Sequence, residues 1–146
     1  MIKLPSIKLP ATMDNLEEMI EFVVTGVSNC DFKDEACLKK IRLVCEEILV
    51  NIIEYGYPEE TGQVKISYKV IQETRLVIKV VDNGIPFDPT EFKEPDLCHC
   101  LEDCDIGGFG IYLVKKIVDE MKYKRNQNKN ILTLMKFINW ISEGDY

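Results

Sequence analysis

An acidic and an amide side chain, four positions apart, carry the first chemical signal in this sequence. Glu47 and Asn51 lie in an apolar stretch with helical spacing, so both point to the same side of a helix, at the rim of its apolar stripe. A carboxylate there can act as a general base or position water. An amide oxygen there is a hard, neutral ligand of the kind that Mg²⁺ prefers. The alternative is ordinary polarity on a helix surface.

A second acid stands where an alternating apolar segment ends, in Asp82-Asn83-Gly84. A buried Asp82 carboxylate can accept a hydrogen bond from an exocyclic amine such as that of adenine, and Gly84 would let the chain approach the ring closely. The alternative is a plain turn, because Asp and Asn bind their own backbone and Gly tolerates positive φ. The continuation Ile85-Pro86-Phe87-Asp88-Pro89 makes the motif more specific.

A third signal is the glycine cluster Gly107-Gly108-Phe109-Gly110, which stands before an apolar stretch with helical spacing. Glycines followed by a helix N-terminus can present N–H groups and the positive end of the helix dipole to phosphates. The cluster is neither a Walker A motif nor a dinucleotide-binding fingerprint. The alternative interpretation of Gly107, Gly108 and Gly110 is a flexible hinge.

Cys98-His99-Cys100 with Cys104 suggests zinc, but the usual C-x₂-C spacing is missing. We expect reduced thiols in a loop, with a structural metal site as the alternative.

Hydrophobic spacing predicts the elements that position these residues. An edge strand is expected over residues 6–11, limited by its prolines. A first helix is capped by Asp14, and Gly26 and Ser28-Asn29 indicate its end. A second helix is capped within residues 31–34 and ended by Gly56 and Pro58.

The second half of the chain is predicted as strands around one helix. Residues 64–70 and 76–81 alternate as strands of a hairpin. An apolar helical stripe runs from residue 111 to residue 121, and two more strands follow over residues 122–127 and 131–138, with a turn at Asn128-Lys129.

This element order predicts an α+β fold: a two-layer sandwich in which a mixed, mostly antiparallel sheet is covered on one face by three helices. The 146 residues are expected to form a single domain, 1–146. The acidic segment without periodicity predicts a functional lid at about residues 90–110.

The composition of the chain excludes some classes of function. With 46% hydrophobic residues the chain can bury a core, and its net charge of −7 argues against a direct nucleic-acid surface. Local ATP binding through magnesium and backbone N–H groups stays open. No apolar run approaches the roughly 20 residues that span a bilayer, and the start of the chain lacks a signal core. The expectation is a cytoplasmic protein that does not bind membranes.

In order and spacing, the three motifs resemble the N, G1 and G2 boxes of the histidine-kinase/gyrase-type ATPase superfamily. Over about residues 16–137 the chain most resembles the small bacterial anti-sigma factors that are also serine-protein kinases. The resemblance implies ATP and Mg²⁺ as cofactors. It also implies a homodimer that sequesters a sigma factor and phosphorylates a serine of an anti-anti-sigma protein.

The resemblance also implies a role for each site residue. Glu47 would be the base that activates a protein serine or a water molecule, and Asn51 would coordinate Mg²⁺. Asp82 would bind the adenine amine, with Gly84 beside the base. Gly107, Gly108 and Gly110, with the loop before them, would form the ATP lid.

The chain departs from this family pattern in two places. Tyr55 stands where the kinases often have histidine, and residues 102–106 lack the arginine that the lid often carries. Loss of a cation matters where the transition state is anionic. A non-catalytic, nucleotide-dependent binding module and a weak ATPase therefore stay open as alternatives to the kinase.

Overall fold

A computed structural model of the chain describes residues 4–30, 34–58, 61–91 and 106–138. Its strands form one sheet in the order β1-β2-β3-β5-β4, and every neighbouring pair is antiparallel. The strands are β1 Ser6–Pro10, β2 Gln63–Ile71, β3 Arg75–Asp82, β4 Glu120–Asn126 and β5 Lys129–Phe137.

Three α-helices lie in the described part of the chain: α1 Leu16–Ser28, α2 Glu35–Tyr55 and α3 Ile106–Ile117. Two short 3₁₀ turns, Met13–Asn15 and Pro89–Glu91, precede α1 and follow β3. This is the α+β arrangement that the sequence predicts, with a sheet that is antiparallel throughout. Among the residues described, no helix is both long enough and apolar enough to cross a membrane.

The core lies between the helices and one face of the sheet, because apolar residues alternate along the strands. Helices α1 and α2 contribute Met19, Val23, Ile41 and Leu49, each at most 1% exposed. The inward rows of β2 and β3 include Val64, Ile66, Leu76, Ile78 and Val80.

The start of α1 differs from the sequence prediction. Asp14 does not cap the helix, because it lies inside the 3₁₀ turn Met13–Asn15. Asn15 occupies the N-cap position, but its amide donates to the Pro10 carbonyl oxygen at 2.9 Å and ties the helix to the end of β1. The predicted end near Ser28-Asn29 is confirmed, since α1 ends at Ser28 with Asn29 as its C-cap.

Helix α2 matches its predicted signals. Asp34 caps it, with Oδ1 accepting a hydrogen bond from the Cys37 N–H at 3.2 Å, and Gly56 is its C-cap.

Helix α3 is displaced from its prediction. It begins at Ile106, before the glycine cluster, and ends at Ile117, so Met121 belongs to β4. The predicted turn at Asn128-Lys129 is off by one residue. Gln127 and Asn128, with φ of 51° and 63°, form the two-residue turn, which matches the strand twist of a tight hairpin.

The register places one row of residues under the end of α2. Asp82 on β3 pairs with Val64 on β2 and with Asn130 on β5, and Asn130 pairs with Arg125 on β4. This row carries polar groups on the mainly apolar helix side of the sheet.

Candidate functional site

A narrow cavity lies between α2, α3, the loop after β3 and the ends of β4 and β5. Its volume is about 90 Å³, below the roughly 300–1,000 Å³ of pockets that enclose a whole drug-sized ligand. The cavity alone therefore cannot enclose a whole nucleotide, and any nucleotide bound here would extend beyond it. Its apolar walls are Ile48, Ile52, Ile85, Pro86, Phe87, Pro89, Ile111 and Leu132.

Among the described residues, the polar side chains that line this cavity are Asn51, Tyr55, Asp82, Tyr123 and Asn130. Asn51 comes from α2 and Asp82 from the end of β3, so the structure brings these two sequence-predicted residues to one cavity. Glu47 lies one helical turn before Asn51 and does not line this cavity.

Asp82 is the buried acid of the cavity, with 6% of its surface exposed. Burial raises the pKa of its carboxyl, while hydrogen bonds from Asn130 and Gly84 and the charge of Arg125 oppose that rise. Oδ1 accepts both bonds, from the Gly84 N–H at 2.9 Å and from the Asn130 side-chain amide at 3.0 Å. Among the described residues, no hydrogen bond to Oδ2 is found, and this oxygen could accept one from a ligand N–H.

Asn130 connects Asp82 to the loop that follows β3, and sequence reasoning missed it. Its amide also donates to the Ile85 carbonyl oxygen at 2.8 Å. Its Oδ1 accepts from the Arg125 guanidinium at 3.1 Å and from the Tyr123 hydroxyl. The only sequence signal was a polar residue at an inward position of an apolar strand.

The loop after β3 is held close to the end of α2. The Ile85 N–H donates to the Gly56 carbonyl oxygen at 2.9 Å, and Arg125 donates to the Gly84 carbonyl oxygen at 2.8 Å. A Cβ on Gly84 would lie 2.5 Å from that Gly56 oxygen. Gly84 does not adopt positive φ, so the glycine is needed here for close backbone approach.

Asn83 points away from the cavity and fixes the other side of the loop. Its N–H donates to the Tyr57 hydroxyl oxygen at 2.9 Å, and the Tyr57 hydroxyl donates to the Gln63 carbonyl oxygen at 2.7 Å. Desolvation raises the pKa of Tyr57 to about 12, so the hydroxyl keeps its proton at physiological pH. Hydrogen bonds from the Gly56 and Arg125 side and from the Tyr57 side therefore hold the loop that follows Asp82.

Glu47 lies at the contact between α2 and α3. A methyl group on Gly110 would overlap the Glu47 carboxylate oxygen Oε2, so Gly110 provides the space that this carboxylate occupies. Partial burial, and then the charge of the exposed Glu46, raises the pKa of Glu47. A raised pKa makes a carboxylate a stronger proton acceptor.

The other glycines and the predicted lid are placed differently from expectation. Gly107 and Gly108 lie in the first turn of α3, not in a loop before it. Of the predicted lid, residues 90 and 91 belong to a 3₁₀ turn and residues 106–110 are helical. Residues 92–105 lie outside the described part of the chain, and with them nearly all of the arginine-free stretch.

Cys98, His99, Cys100 and Cys104 also lie outside the described residues. Among the residues that are described, no cluster of three or more His, Cys, Asp or Glu side chains is placed to hold a metal ion. Cys30, Cys37 and Cys45 are free thiols, and burial raises the pKa of Cys45 to about 12.

The polar side chains at this site are of the kinds that could bind an adenine nucleotide and its divalent ion. Asp82 offers a fixed acceptor in an apolar cavity, which suits a ring that carries an exocyclic amine. Asn51 offers an amide oxygen at the cavity wall, and Mg²⁺ binds oxygen ligands while keeping several waters. Tyr55, with 47% of its surface exposed, also lines the cavity.

Comparison with known proteins gives matches in sequence and in structure. The sequence profile described as "Histidine kinase-like ATPase domain" matches residues 9–136. The serine-protein kinases RsbW of Bacillus thuringiensis strain Al Hakam and Bacillus cereus strain 03BB102 are each 26% identical over 135 residues. Those alignments cover 90% of this chain and 82% of each relative.

Two solved structures share the fold at 14% identity. The RsbU and RsbW domains of a Mycobacterium tuberculosis protein match with a TM-score of 0.57, over 91% of this chain and 32% of that one. The histidine kinase domain of a blue-light activated Erythrobacter litoralis kinase matches with a TM-score of 0.51, over 83% of this chain and 60% of that one. At this identity the likeness concerns the fold alone.

Proposed function

The chain belongs to the histidine kinase-like ATPase domain family, and on that premise we propose that it is an ATP-binding anti-sigma factor that phosphorylates a serine of an anti-anti-sigma protein. The similarity to serine-protein kinases RsbW supports the proposal. The observation that carries it is the cavity shared by Asp82 and Asn51, with Glu47 one turn along α2.

In this proposal the adenine ring occupies the cavity and donates its exocyclic N–H to Oδ2 of Asp82. The bonds from Gly84 and Asn130 to Oδ1 keep the carboxylate in place, so little ordering is needed on binding. The phosphates extend towards the start of α3, where Gly107 and Gly108 lie in the first turn and Gly110 follows them. The first helix N–H groups there lack intrahelical partners.

Asn51 would hold Mg²⁺ through its amide oxygen. A bound Mg²⁺ neutralises charge on the transferring phosphoryl group. The side chain of Asn51 would thus orient the ion. The apolar walls of the cavity would exclude water from the adenine ring.

Glu47 is proposed as the general base. Its carboxylate accepts the proton of the attacking serine hydroxyl as the bond from the serine oxygen to the γ-phosphorus forms. The bond from that phosphorus to the β–γ bridging oxygen breaks, and ADP leaves with the electron pair. Partial burial raises the pKa of Glu47 and so increases its affinity for the proton.

The test is phosphoryl transfer from radiolabelled MgATP to a cognate anti-anti-sigma protein. Glu47→Gln should lower the transfer rate by roughly 10²–10⁴-fold, the usual contribution of a general base, and leave the Kd for ATP within about twofold. Glu46→Gln is the matched control, since Glu46 is the exposed neighbour on the same helix and should transfer at the wild-type rate.

The same assay separates the alternatives. Wild-type protein that binds ATP but transfers nothing would favour the nucleotide-dependent binding module, and phosphate release without a partner would favour the weak ATPase. Equal rates for Glu47→Gln and wild type would contradict the role of Glu47. The proposal includes a homodimer and a sigma-factor partner, which sedimentation of the chain with and without the sigma factor would test.

A further inference from the structure

Tyr57 joins three segments of the chain through one hydroxyl group. It directly follows Gly56, the C-cap of α2. Its hydroxyl oxygen accepts a hydrogen bond from the Asn83 N–H at 2.9 Å, and its proton has two acceptors in reach, the Gln63 carbonyl oxygen at 2.7 Å and Asn83 Oδ1 at 2.6 Å. The Gln63 N–H also donates to Asn83 Oδ1 at 3.1 Å. The end of α2, the start of β2 and the loop after β3 therefore meet at this side chain.

The ring of Tyr57 is held in place by a glycine beneath it. A Cβ on Gly62 would overlap the Tyr57 ring, so a side chain at this position would displace the tyrosine. Gly62 is buried, and its carbonyl oxygen accepts a hydrogen bond from the Ala11 N–H at 2.8 Å, directly after β1. The hydroxyl of Tyr57 is thus held at a defined place beside the loop that follows β3.

The hydrogen bond from Asn83 to Tyr57 constrains the residue before it, Asp82. The Asn83 N–H belongs to the peptide unit that begins at the carbonyl carbon of Asp82, and that unit is planar. A fixed N–H direction therefore fixes ψ of Asp82, and with it the direction in which the Asp82 carboxylate leaves the backbone. Tyr57 itself does not line the cavity, so it can influence a bound base only through this peptide unit.

The hydroxyl should matter more for the geometry of a ligand contact than for folding. Asn83 and Gln63 are exposed, so water can replace a lost partner at little cost. A hydrogen bond between Asp82 and a ligand is more sensitive, because hydrogen bonds weaken steeply as the donor angle departs from linearity.

We propose that Tyr57 is a positioning residue that determines how strongly Asp82 binds the exocyclic amine of a nucleotide base. The inference rests on the proposed function, because it requires an adenine nucleotide in the cavity. Tyr57 acts through the Asn83 peptide and contacts neither the base nor the phosphates. The preference for a base that carries an amine thus depends on a side chain at the end of α2.

Tyr57→Phe tests the proposal, because it removes the hydroxyl and keeps the ring over Gly62. Isothermal titration compares ATP with purine riboside triphosphate, which lacks the amine. Wild-type protein should bind ATP about 10–100-fold more tightly than the analogue, the usual range for a hydrogen bond to a charged group. Tyr57→Phe should lower this preference about fivefold or more, because a misdirected carboxylate forms a weaker bond. Its affinity for the analogue should stay within about twofold of wild type, since no amine contact is lost there.

Tyr68→Phe is the matched control. Tyr68 is also half-buried, but its ring packs edge-on against Phe22 of α1 and does not line the cavity. This variant should keep the wild-type preference for ATP over the analogue.

Asn83→Ala provides a second test at an exposed position. It removes the Oδ1 acceptor that Tyr57 and Gln63 share, and should also lower the preference for ATP. Because both substitutions act on one network, the double variant should lose less preference than the product of the two single losses.

The possible results separate this inference from the proposed function. A full preference for ATP in both Tyr57→Phe and Asn83→Ala would overturn the positioning role and leave nucleotide binding unaffected. Equal weakening of ATP and the analogue by Tyr57→Phe would also overturn it, because that result indicates a purely structural role. A wild-type protein with no preference for ATP would instead contradict the proposed contact between Asp82 and the base, and this inference with it.

Discussion

The two ends of the proposed nucleotide site are built in different ways. The base end is formed by the sheet and its loop, where Asp82 and Asn130 are both 6% exposed and joined by a hydrogen bond. The helical end consists of Asn51 and Glu47, side chains on α2 that are only partly buried. At the base end the backbone fixes the geometry, whereas at the helical end the packing of α2 against α3 does.

Because of this difference, substitutions at the two ends should affect nucleotide binding and catalysis differently. A change at the base end that adds bulk or charge beside the buried hydrogen-bond network of Asp82 affects affinity and folding together. A change at the helical end can move a catalytic group while the fold persists. Substitutions at the two ends should therefore differ in their effects on transfer rate, nucleotide affinity and stability.

Gly110→Ala should disable the helical end alone. The added methyl group would overlap Oε2 of Glu47, and that flexible side chain can move aside without unfolding the protein. Misplacement of a catalytic group by about 1 Å can cost about 10²-fold in rate, so transfer to the anti-anti-sigma protein should fall about 100-fold while ATP affinity stays within about threefold. The control is Leu113→Ala, at an exposed position of α3. A wild-type transfer rate in Gly110→Ala would contradict this placement of Glu47.

Asn130→Asp should disable the base end in a pH-dependent way. The new carboxylate would stand beside Oδ1 of Asp82, and two adjacent carboxylates raise the pKa of the pair because they cannot both ionise easily. ATP affinity should fall about tenfold at pH 8 and recover in part as the pH falls, because one shared proton restores the donor to Oδ1. Isothermal titration at several pH values measures this. Asn126→Asp, exposed on β4, makes the same charge change and should show neither effect.

Gly84→Ala should distinguish the two ends by stability. Its Cβ would lie 2.5 Å from the Gly56 backbone oxygen, and backbone cannot move aside as a side chain can. We expect the free energy of unfolding to fall by about 1–3 kcal/mol, against less than about 1 kcal/mol for Gly110→Ala. Urea titrations of both variants, compared at equal m-values, provide the measurement. Equal losses would show that the two ends are equally rigid.

Asp82→Asn should have the smallest effect on folding. Burial raises the pKa of Asp82 in the folded state, so its contribution to stability decreases as the pH rises from the unfolded pKa through the folded one. An asparagine can keep the acceptor at Oδ1 without this penalty. The variant should therefore be at least as stable as wild type at pH 7, with the difference shrinking below pH 4. Thermal unfolding across this pH range would show the opposite trend if ionised Asp82 stabilised the fold.

The sequence was sufficient to predict the fold class and the position of Glu47 and Asn51 on a helix, because helical spacing and strand alternation are local signals. Spacing alone placed Glu47 and Asn51 at the rim of α2. It could not find Asn130, because the pairing of Asp82 with Asn130 depends on the β3–β5 register between distant segments.

Local sequence patterns also misplaced elements whose secondary structure depends on tertiary contacts. The glycines at 107, 108 and 110 suggested a loop before α3, since glycine disfavours helices by about 1 kcal/mol relative to alanine. In the structure they are helical, and at Gly110 the missing side chain is what leaves room for Glu47.

The central claim is that Asp82 reads the base of an adenine nucleotide, and a comparison of ATP with GTP tests it most directly. At the position where adenine carries an amine donor, guanine carries an oxygen acceptor. Isothermal titration should show that wild-type protein prefers ATP to GTP and that Asp82→Asn loses about 10–100-fold in ATP affinity, as expected for a buried hydrogen bond to a charged group. Equal affinity of the wild type for both nucleotides, or unchanged ATP affinity in Asp82→Asn, would contradict the account.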